Sequence, residues 1–323
     1  MRAVGPSVNV TPAAGSTDAG TGTTSPKVVE VTAQYRSPVP RPLLITSRNA
    51  RFQQWRALLD NRAKRHRAGE FLVHGVRPIT LALRHGWPVR ALIRADGAAS
   101  SWVRETVASF AGTQVVMAPP LVAELGGKDT ELVAVVALPP DDLGRIPTGG
   151  TPLVVVFDRP ASPGNIGMLI RSADAFGATG VIVTGHAADP YDPQAVRAST
   201  GSIFALPVVR SGAPREVLTW ASSWGAGVVG TDEAGPADVA DAALSGPVLL
   251  LVGNETHGLS VAWRDAADQL VRIPMTGSAS SLNAAAAATV VLYEAARQRA
   301  AVTRVQQSDN RLPLAAPTAT TGG

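Results

Sequence analysis

The 323-residue chain contains no cysteine, which excludes disulfides, thiolate zinc sites and a cysteine nucleophile. It also lacks long apolar runs. Stretches such as Leu153–Phe157 and Val248–Val252 are five residues long, far short of the roughly 20 that span a bilayer. Met1 to Gly22 holds no apolar core of a secretory leader, so a cytoplasmic protein without membrane association is expected. There is no internal repeat. No His/Asp/Glu cluster points to a metal, none is expected, and His186 and His257 read as loop histidines.

What is present is the composition of a globular protein, 45% hydrophobic and 17% charged, with room for two domains. The net charge of +4 conceals an asymmetry. Residues 41–110 carry 13 Lys+Arg against 4 Asp+Glu, a balance of +9 that leaves −5 for the remainder. A basic segment on a mildly acidic body suits a part that grips a polyanion such as nucleic acid, although a solvated basic face would look the same. Residues 1–42 and 304–323 are aperiodic and read as disordered tails.

Residues 43–138 alternate short strands and helices. A helix is expected over Asn49–Arg67, with Phe52, Trp55, Leu58 and Leu59 inward and Arg48, Arg51, Arg62, Lys64, Arg65 and Arg67 as candidate phosphate ligands. Strands over Glu70–Val73, Val89–Arg94 and Gln114–Met117, with helices over Pro78–His85 and Trp102–Phe110, complete a small α/β domain. Residues 139–152, rich in Pro, Asp and Gly pairs, form a linker.

In residues 153–303, strands are expected at Leu153–Phe157, Val181–Thr184, Gly227–Thr231, Val248–Val252 and Val271–Ile273, with helices between. Near-continuous Val/Leu/Ile strands joined by crossovers predict a parallel sheet buried on both faces, with its site at the carboxyl ends. Gly225-Ala-Gly227-Val-Val-Gly230 satisfies a dinucleotide fingerprint, but it reads as a strand rather than a strand-to-helix turn and is discounted.

Three strand ends stand out. The first runs Asp158-Arg159-Pro-Ala-Ser-Pro-Gly164-Asn165 into a helix with Ile166, Leu169, Ile170 and Ala173 inward. Asn165 sits where an N-cap belongs, and Arg171 lies off the apolar stripe. The second is Gly253-Asn254-Glu255-Thr-His257-Gly258, which puts a carboxylate beside bare backbone. The third, Ile273-Pro-Met275-Thr-Gly-Ser-Ala-Ser-Ser281-Leu282-Asn283, opens an Ala-rich helix whose cap groups can also face a ligand. Taken singly, each has a plain reading as a cap or a tight turn.

All three motifs, in this order within one domain, resemble the TrmH-type branch of the SPOUT superfamily of RNA 2′-O-ribose methyltransferases. Arg197-Ala-Ser-Thr-Gly-Ser202 is similar to a further stretch of that family. Asn49-x-Arg51 and Glu70-Phe-Leu-Val-x-Gly75 resemble its L30e-like RNA-binding extension. The subgroup it looks most like is the antibiotic-resistance (avilamycin-resistance-like) 23S ribosomal RNA ribose methyltransferases of actinomycetes.

The resemblance implies S-adenosylmethionine as cofactor, held by Thr231, Gly253, Ile273, Met275 and Leu282. It implies a catalytic set of Asn165, Arg171, Glu255, Ser281 and Asn283, and RNA contact by Arg197 as well as the basic helix. It also implies a C-terminal trefoil knot and a homodimer whose active sites borrow from each other. The Ala/Val face of residues 284–296 suits that interface, or internal packing equally well. Because all three motifs follow Pro152, the second domain alone is expected to bind the cofactor. A guanidinium has an unperturbed pKa of about 12.5 or more, so Arg171 is expected to clamp the acceptor rather than act as a base. Other readings stay open: a tRNA ribose or a base nitrogen as acceptor, a non-catalytic RNA-binding ribosome factor, and, on fold class alone, a nicotinamide-dependent oxidoreductase.

Overall fold

Sequence pattern and turn chemistry divide the chain into two sheets. The computed structural model describes residues 41–309. The first sheet holds β1 (Leu43–Ile45), β2 (Glu70–His74), β3 (Val89–Ala95), β4 (Thr113–Met117) and β5 (Leu132–Ala137), in the order β1-β4-β3-β5-β2. Its helices are α1 (Ala50–Asp60), α2 (Arg62–Ala68), α3 (Val76–Arg84), α4 (Ser101–Ala108) and α5 (Pro119–Gly126). The sheet is mixed: β5 runs antiparallel to both β2 and β3. The wholly buried β5 and the short β1 were not foreseen. An apolar run as uniform as Leu-Val-Ala-Val-Val-Ala has no alternation to mark it as strand.

The single helix expected over Asn49–Arg67 is two. Asn61 adopts φ −127° and ψ 103°, and its Oδ1 accepts from the Lys64 backbone N–H at 3.0 Å. An Asn side chain that bonds local backbone offers the chain an alternative to the helix, so α1 stops and α2 restarts with a new cap.

The second sheet contains β6 (Leu153–Asp158), β7 (Gly180–Thr184), β8 (Val208–Ser211), β9 (Gly227–Thr231), β10 (Ala237–Asp238), β11 (Val248–Val252) and β12 (Gln269–Arg272). All pairings are parallel, in the order β10-β12-β9-β11-β6-β7-β8. Helices α6 (Pro163–Ala175), α7 (Pro193–Ala198), α8 (Pro214–Ser222), α9 (Val261–Asp265) and α10 (Ala284–Asp309) connect or follow the strands. The Gly225–Gly230 run enters β9, as its sequence context required. From β6 the chain moves outward to β7 and β8, then crosses to β9 on the other side and fills the gap with β11. That reversal opens a crevice at the carboxyl ends of β6 and β11.

Two sequence expectations are corrected here. The N-cap of α6 is Ser162, whose Oγ accepts from the Asn165 N–H at 3.4 Å. Asn165 therefore sits inside the first turn, with Pro163 ahead of it, and its side chain is available for other work. Residues 304–309 continue α10 instead of beginning a tail; residues 1–40 and 310–323 lie outside the described residues.

The two halves share one apolar core. Phe71 and Trp87 of the first meet Tyr191 and Phe204 of the second, with centroids 5.0 Å apart for Phe71–Tyr191 and Trp87–Phe204. The Trp87 indole also donates to the Phe204 carbonyl at 3.0 Å. This continuity runs against the expectation of a second domain that works alone. Along α10, Ala285, Ala288, Val291, Leu292 and Ala295 are buried within the chain, so the Ala/Val face packs internally. The large apolar side chains that α6 and α10 leave exposed among the described residues are Met168, Val290, Tyr293 and Val302.

Candidate active site

Asp158 ends the buried strand β6 and is itself 2% exposed. Its Oδ2 accepts from the Ser260 N–H at 2.9 Å and from Arg159 Nε at 3.0 Å, and its Oδ1 from the Thr184 hydroxyl at 3.2 Å. One carboxylate thus ties the ends of β6 and β7 to the loop after β11. Arg159 has φ +50°, a left-handed conformation that costs a non-glycine residue about 1–2 kcal/mol. The strain is offset by contacts: Arg159 Nη2 donates to the Gly258 carbonyl at 3.1 Å, and Asn254 Nδ2 donates to the Arg159 carbonyl at 2.7 Å.

The loop after β11 folds back on itself. Asn254 and Gly258 exchange backbone hydrogen bonds of 3.0 Å, and Asn254 Oδ1 accepts from the Thr256 N–H at 2.9 Å. A Cβ on Gly253 would fall 2.4 Å from the Gly258 carbonyl carbon, so only glycine permits this turn. Glu255 projects from the loop toward α6. Its carboxylate accepts from Asn165 Nδ2 at 2.8 Å and from the Ala161 N–H at 3.2 Å. Partial burial alone would raise the Glu255 carboxyl, but the Asn165 amide and the backbone donors outweigh it and hold it below its ordinary value.

Asn283 completes the chain of contacts. Its Oδ1 caps α10, accepting from the Ala285 and Ala286 N–H groups at 3.0 and 3.3 Å. That leaves its Nδ2 to donate to Asn165 Oδ1 at 3.2 Å, which in turn aims Asn165 Nδ2 at Glu255. The helix cap therefore orients both amides.

Beside this chain lies a cavity of about 520 Å³ at the carboxyl ends of β9, β11 and β12. Thr231, Gly253, Ile273, Met275 and Leu282 all line it, together with Glu255 and Ser281. Asn165 and Asn283 stand behind Glu255 rather than on the lining. Arg171 is exposed, off the lining, and makes no hydrogen bond or ion pair among the described residues. Six residues beyond Asn165, it sits about 9 Å further along the helix axis. Sequence reading missed Asp232, Glu233 and Asn254 on the lining, and Asp158 and Arg159 behind it. An all-apolar strand that ends in a carboxylate was the available signal for Asp158.

The lining suits S-adenosylmethionine. Val252, Val271 and Ala287 offer apolar surface to an adenine ring, and Glu233 and Glu255 offer negative charge to a sulfonium and an ammonium group, while Asp232 is paired with Arg264 on the same lining.

The basic front set divides. Lys64 and Arg67 are exposed and make no side-chain hydrogen bond among the described residues. Arg48 pairs with Glu124, Arg51 lies 5.8 Å from the Trp55 ring centroid, and Arg62 donates to the Ala187 carbonyl at 2.8 Å. Arg65 is a correction. It is 2% exposed, with Nε 2.8 Å from Asp189 and Nη1 2.7 Å from the Leu58 carbonyl, so it joins the two halves and cannot reach RNA. Arg197 is exposed, with Nη2 3.3 Å from His74 Nε2.

A parallel sheet with a cavity at its switch point is the arrangement of an α/β enzyme that takes its ligand at the carboxyl ends of the strands. The SpoU rRNA Methylase family matches residues 152–293, and the SpoU L30e-like domain matches residues 49–137. The chain is 60% identical over 274 residues to the 23S rRNA (uridine(2479)-2′-O)-methyltransferase of Streptomyces viridochromogenes, covering 82% of this chain and 94% of that protein. The crystal structure of the SpoU methyltransferase AviRb from the same organism, in complex with AdoMet, superimposes with a TM-score of 0.75 at 59% identity, over 78% of this chain and 99% of that one. An AdoMet-bound rRNA methyltransferase from Sinorhizobium meliloti gives 0.72 at 32% identity, over 79% and 97%. The chain belongs to the SpoU methylase family, and S-adenosylmethionine is its cofactor.

Proposed function

We propose that this chain is an S-adenosylmethionine-dependent RNA 2′-O-ribose methyltransferase acting on 23S ribosomal RNA in the cytoplasm, with residues 43–138 gripping RNA, 139–152 linking, and 153–303 carrying the reaction. The observation that carries this reading is the acid-lined cavity set against the Asn283–Asn165–Glu255 chain. The bound cofactor supplies an electrophilic methyl group. In-line displacement by a ribose hydroxyl then needs orientation above all.

Thr231, Gly253, Ile273, Met275 and Leu282 hold the adenosine. Glu255 is ionised and already accepts from Asn165, Ala161 and Asn254, so it anchors Asn165 and the loop rather than collecting a proton. Ser281 and Asn283 face the acceptor from the start of α10. Arg171 has its guanidinium uncommitted and takes the acceptor, either through a neighbouring phosphate or through the developing alkoxide.

Because Arg171 lies off the cavity of its own chain, a second copy completes each site in a homodimer. Met168, Val290 and Tyr293, exposed beside Arg171 on α6 and α10, supply an apolar face for that contact. The C-terminal region carries the family's trefoil knot.

The test is transfer of labelled methyl from S-adenosylmethionine to purified 23S rRNA, 16S rRNA and tRNA, followed by mapping of alkali-resistant linkages. Label at a ribose of 23S rRNA is the expected result. Label in tRNA alone would move the substrate within the class, and no transfer to any RNA would overturn the proposal.

A further inference from the structure

The seam between the two halves is electrostatically uneven. On one side, the cation Arg65 crosses it onto the carboxylates Asp189 and Asp192, and nearby Arg210 pairs with Asp141 of the linker. On the other side, two guanidinium groups and an imidazole gather with no carboxylate paired to them among the described residues. Arg77, near the start of α3, donates through Nε to the Thr200 carbonyl at 3.1 Å. Arg197, near the end of α7, faces His74 at the end of β2. Among the described residues, neither Arg77 nor Arg197 has an ion-pair partner, and both are exposed.

We infer that Arg77, His74 and Arg197 form a seat for one backbone phosphate of the RNA substrate, bridging the front half to the catalytic half. The inference rests on the RNA-methyltransferase reading above and adds His74 and Arg77 to the RNA-contacting residues. Two guanidinium forks and an imidazole match the several oxygens of a phosphate, and such charge-assisted bonds are the strong ones. Thr200, at φ +50°, holds the backbone turn that presents its carbonyl to Arg77, so the geometry is fixed from both sides of the seam. Burial, and then the Arg197 charge, lower the His74 ring below its ordinary value. Without an anion it is therefore neutral and accepts from Arg197.

The seat lies one helix from the reaction. Helix α7 presses on α6 so closely that a Cβ on Gly167 would fall 2.3 Å from the Ala195 carbonyl oxygen and 2.9 Å from the Ser199 nitrogen. Gly167 stands between Asn165 and Arg171 on α6. A strand of RNA bound at Arg77 and Arg197 is therefore led from the basic front half onto the helix that bears both residues. At its other end α7 begins beside α2, where Asp192 meets Arg65, and α2 also carries the exposed Lys64 and Arg67. The seat thus continues a basic track and is not an isolated spot.

The experiment titrates a 23S rRNA transcript with the full chain at several salt concentrations. It compares the parent protein with Arg77→Gln, Arg77→Lys and the double variant Arg77→Gln/Arg197→Gln, with melting and S-adenosylhomocysteine binding measured alongside. The double variant should bind RNA about tenfold more weakly at moderate salt, with its salt slope reduced by about 0.7–0.9, while cofactor affinity and melting stay as in the parent. Arg77→Lys, which keeps the charge, should keep the parent slope. An unchanged slope and affinity in the double variant would overturn the seat. So would a loss in Arg77→Gln that follows a fall in melting temperature and is not restored by Lys, because the Thr200 bond would then explain it. A parent protein that binds no RNA would instead bring down the reading on which the seat rests.

Discussion

Asn165 Nδ2 donates to Glu255 Oε1 across 2.8 Å, joining the first turn of α6 to the loop after β11. Glu255→Gln puts a second amide against the Asn165 amide and replaces a charged acceptor by a neutral one. Methyl transfer is expected to fall at least about tenfold, the cost of one charge-assisted hydrogen bond of 1.5–3 kcal/mol. Single-turnover rates at saturating cofactor measure it, and a rate equal to the parent's would remove Glu255 from the mechanism.

The same carboxylate sets a pH dependence. Its folded value lies below its ordinary 4.5, so the stability it contributes is present above that value and is lost as pH falls through the folded one. The melting difference between the parent and Glu255→Gln should therefore be greatest near neutrality and shrink below about pH 4. A difference that grows on acidification would contradict the sign.

Arg171→Ala should abolish methyl transfer while leaving cofactor affinity within a few-fold and stability within about 0.5 kcal/mol, because the side chain is exposed and unbonded. Arg171→Lys should stay inactive at high pH if the guanidinium fork is what matters. A Lys variant whose activity climbs with pH to the parent's level would make this residue a base.

Arg65→Ala should destabilise the protein by about 3–5 kcal/mol, since it leaves the buried Asp189 carboxylate without its cation. Urea unfolding reads this directly. Replacing Lys64 and Arg67 should leave stability alone and lower the salt slope of RNA binding. The opposite assignment, with Arg65 silent in unfolding, would contradict the buried pair.

A fragment of residues 150–303 uncovers Tyr191 and Phe204, which the front half buries, and strips Arg65 from Asp189. It should unfold or aggregate under conditions in which the full chain is stable. A soluble fragment that melts cooperatively and binds S-adenosylhomocysteine like the whole protein would show that the shared core is dispensable.

The sequence by itself determined the strand ends and their chemistry. Unbroken aliphatic runs at Leu153–Phe157 and Val248–Val252, alternating with amphipathic helices, point to buried parallel strands, and in such a sheet the residues that follow them meet at one edge. Hence Gly253, Glu255, Ile273, Met275, Ser281 and Leu282 were legible as neighbours across about 30 residues of sequence. What only the tertiary structure decided were relations that carry no periodicity. Asn165 looked like a cap, but Ser162 took that role and freed its amide for Glu255. Arg65 stood in a run of like charges on α2, yet the docking of that helix on residues 187–192 buried it while Lys64 and Arg67 stayed outside. A local pattern fixes which face of an element is apolar. Which charged side chain meets a carboxylate depends on how two elements far apart in sequence are packed, and that packing is set by the core as a whole.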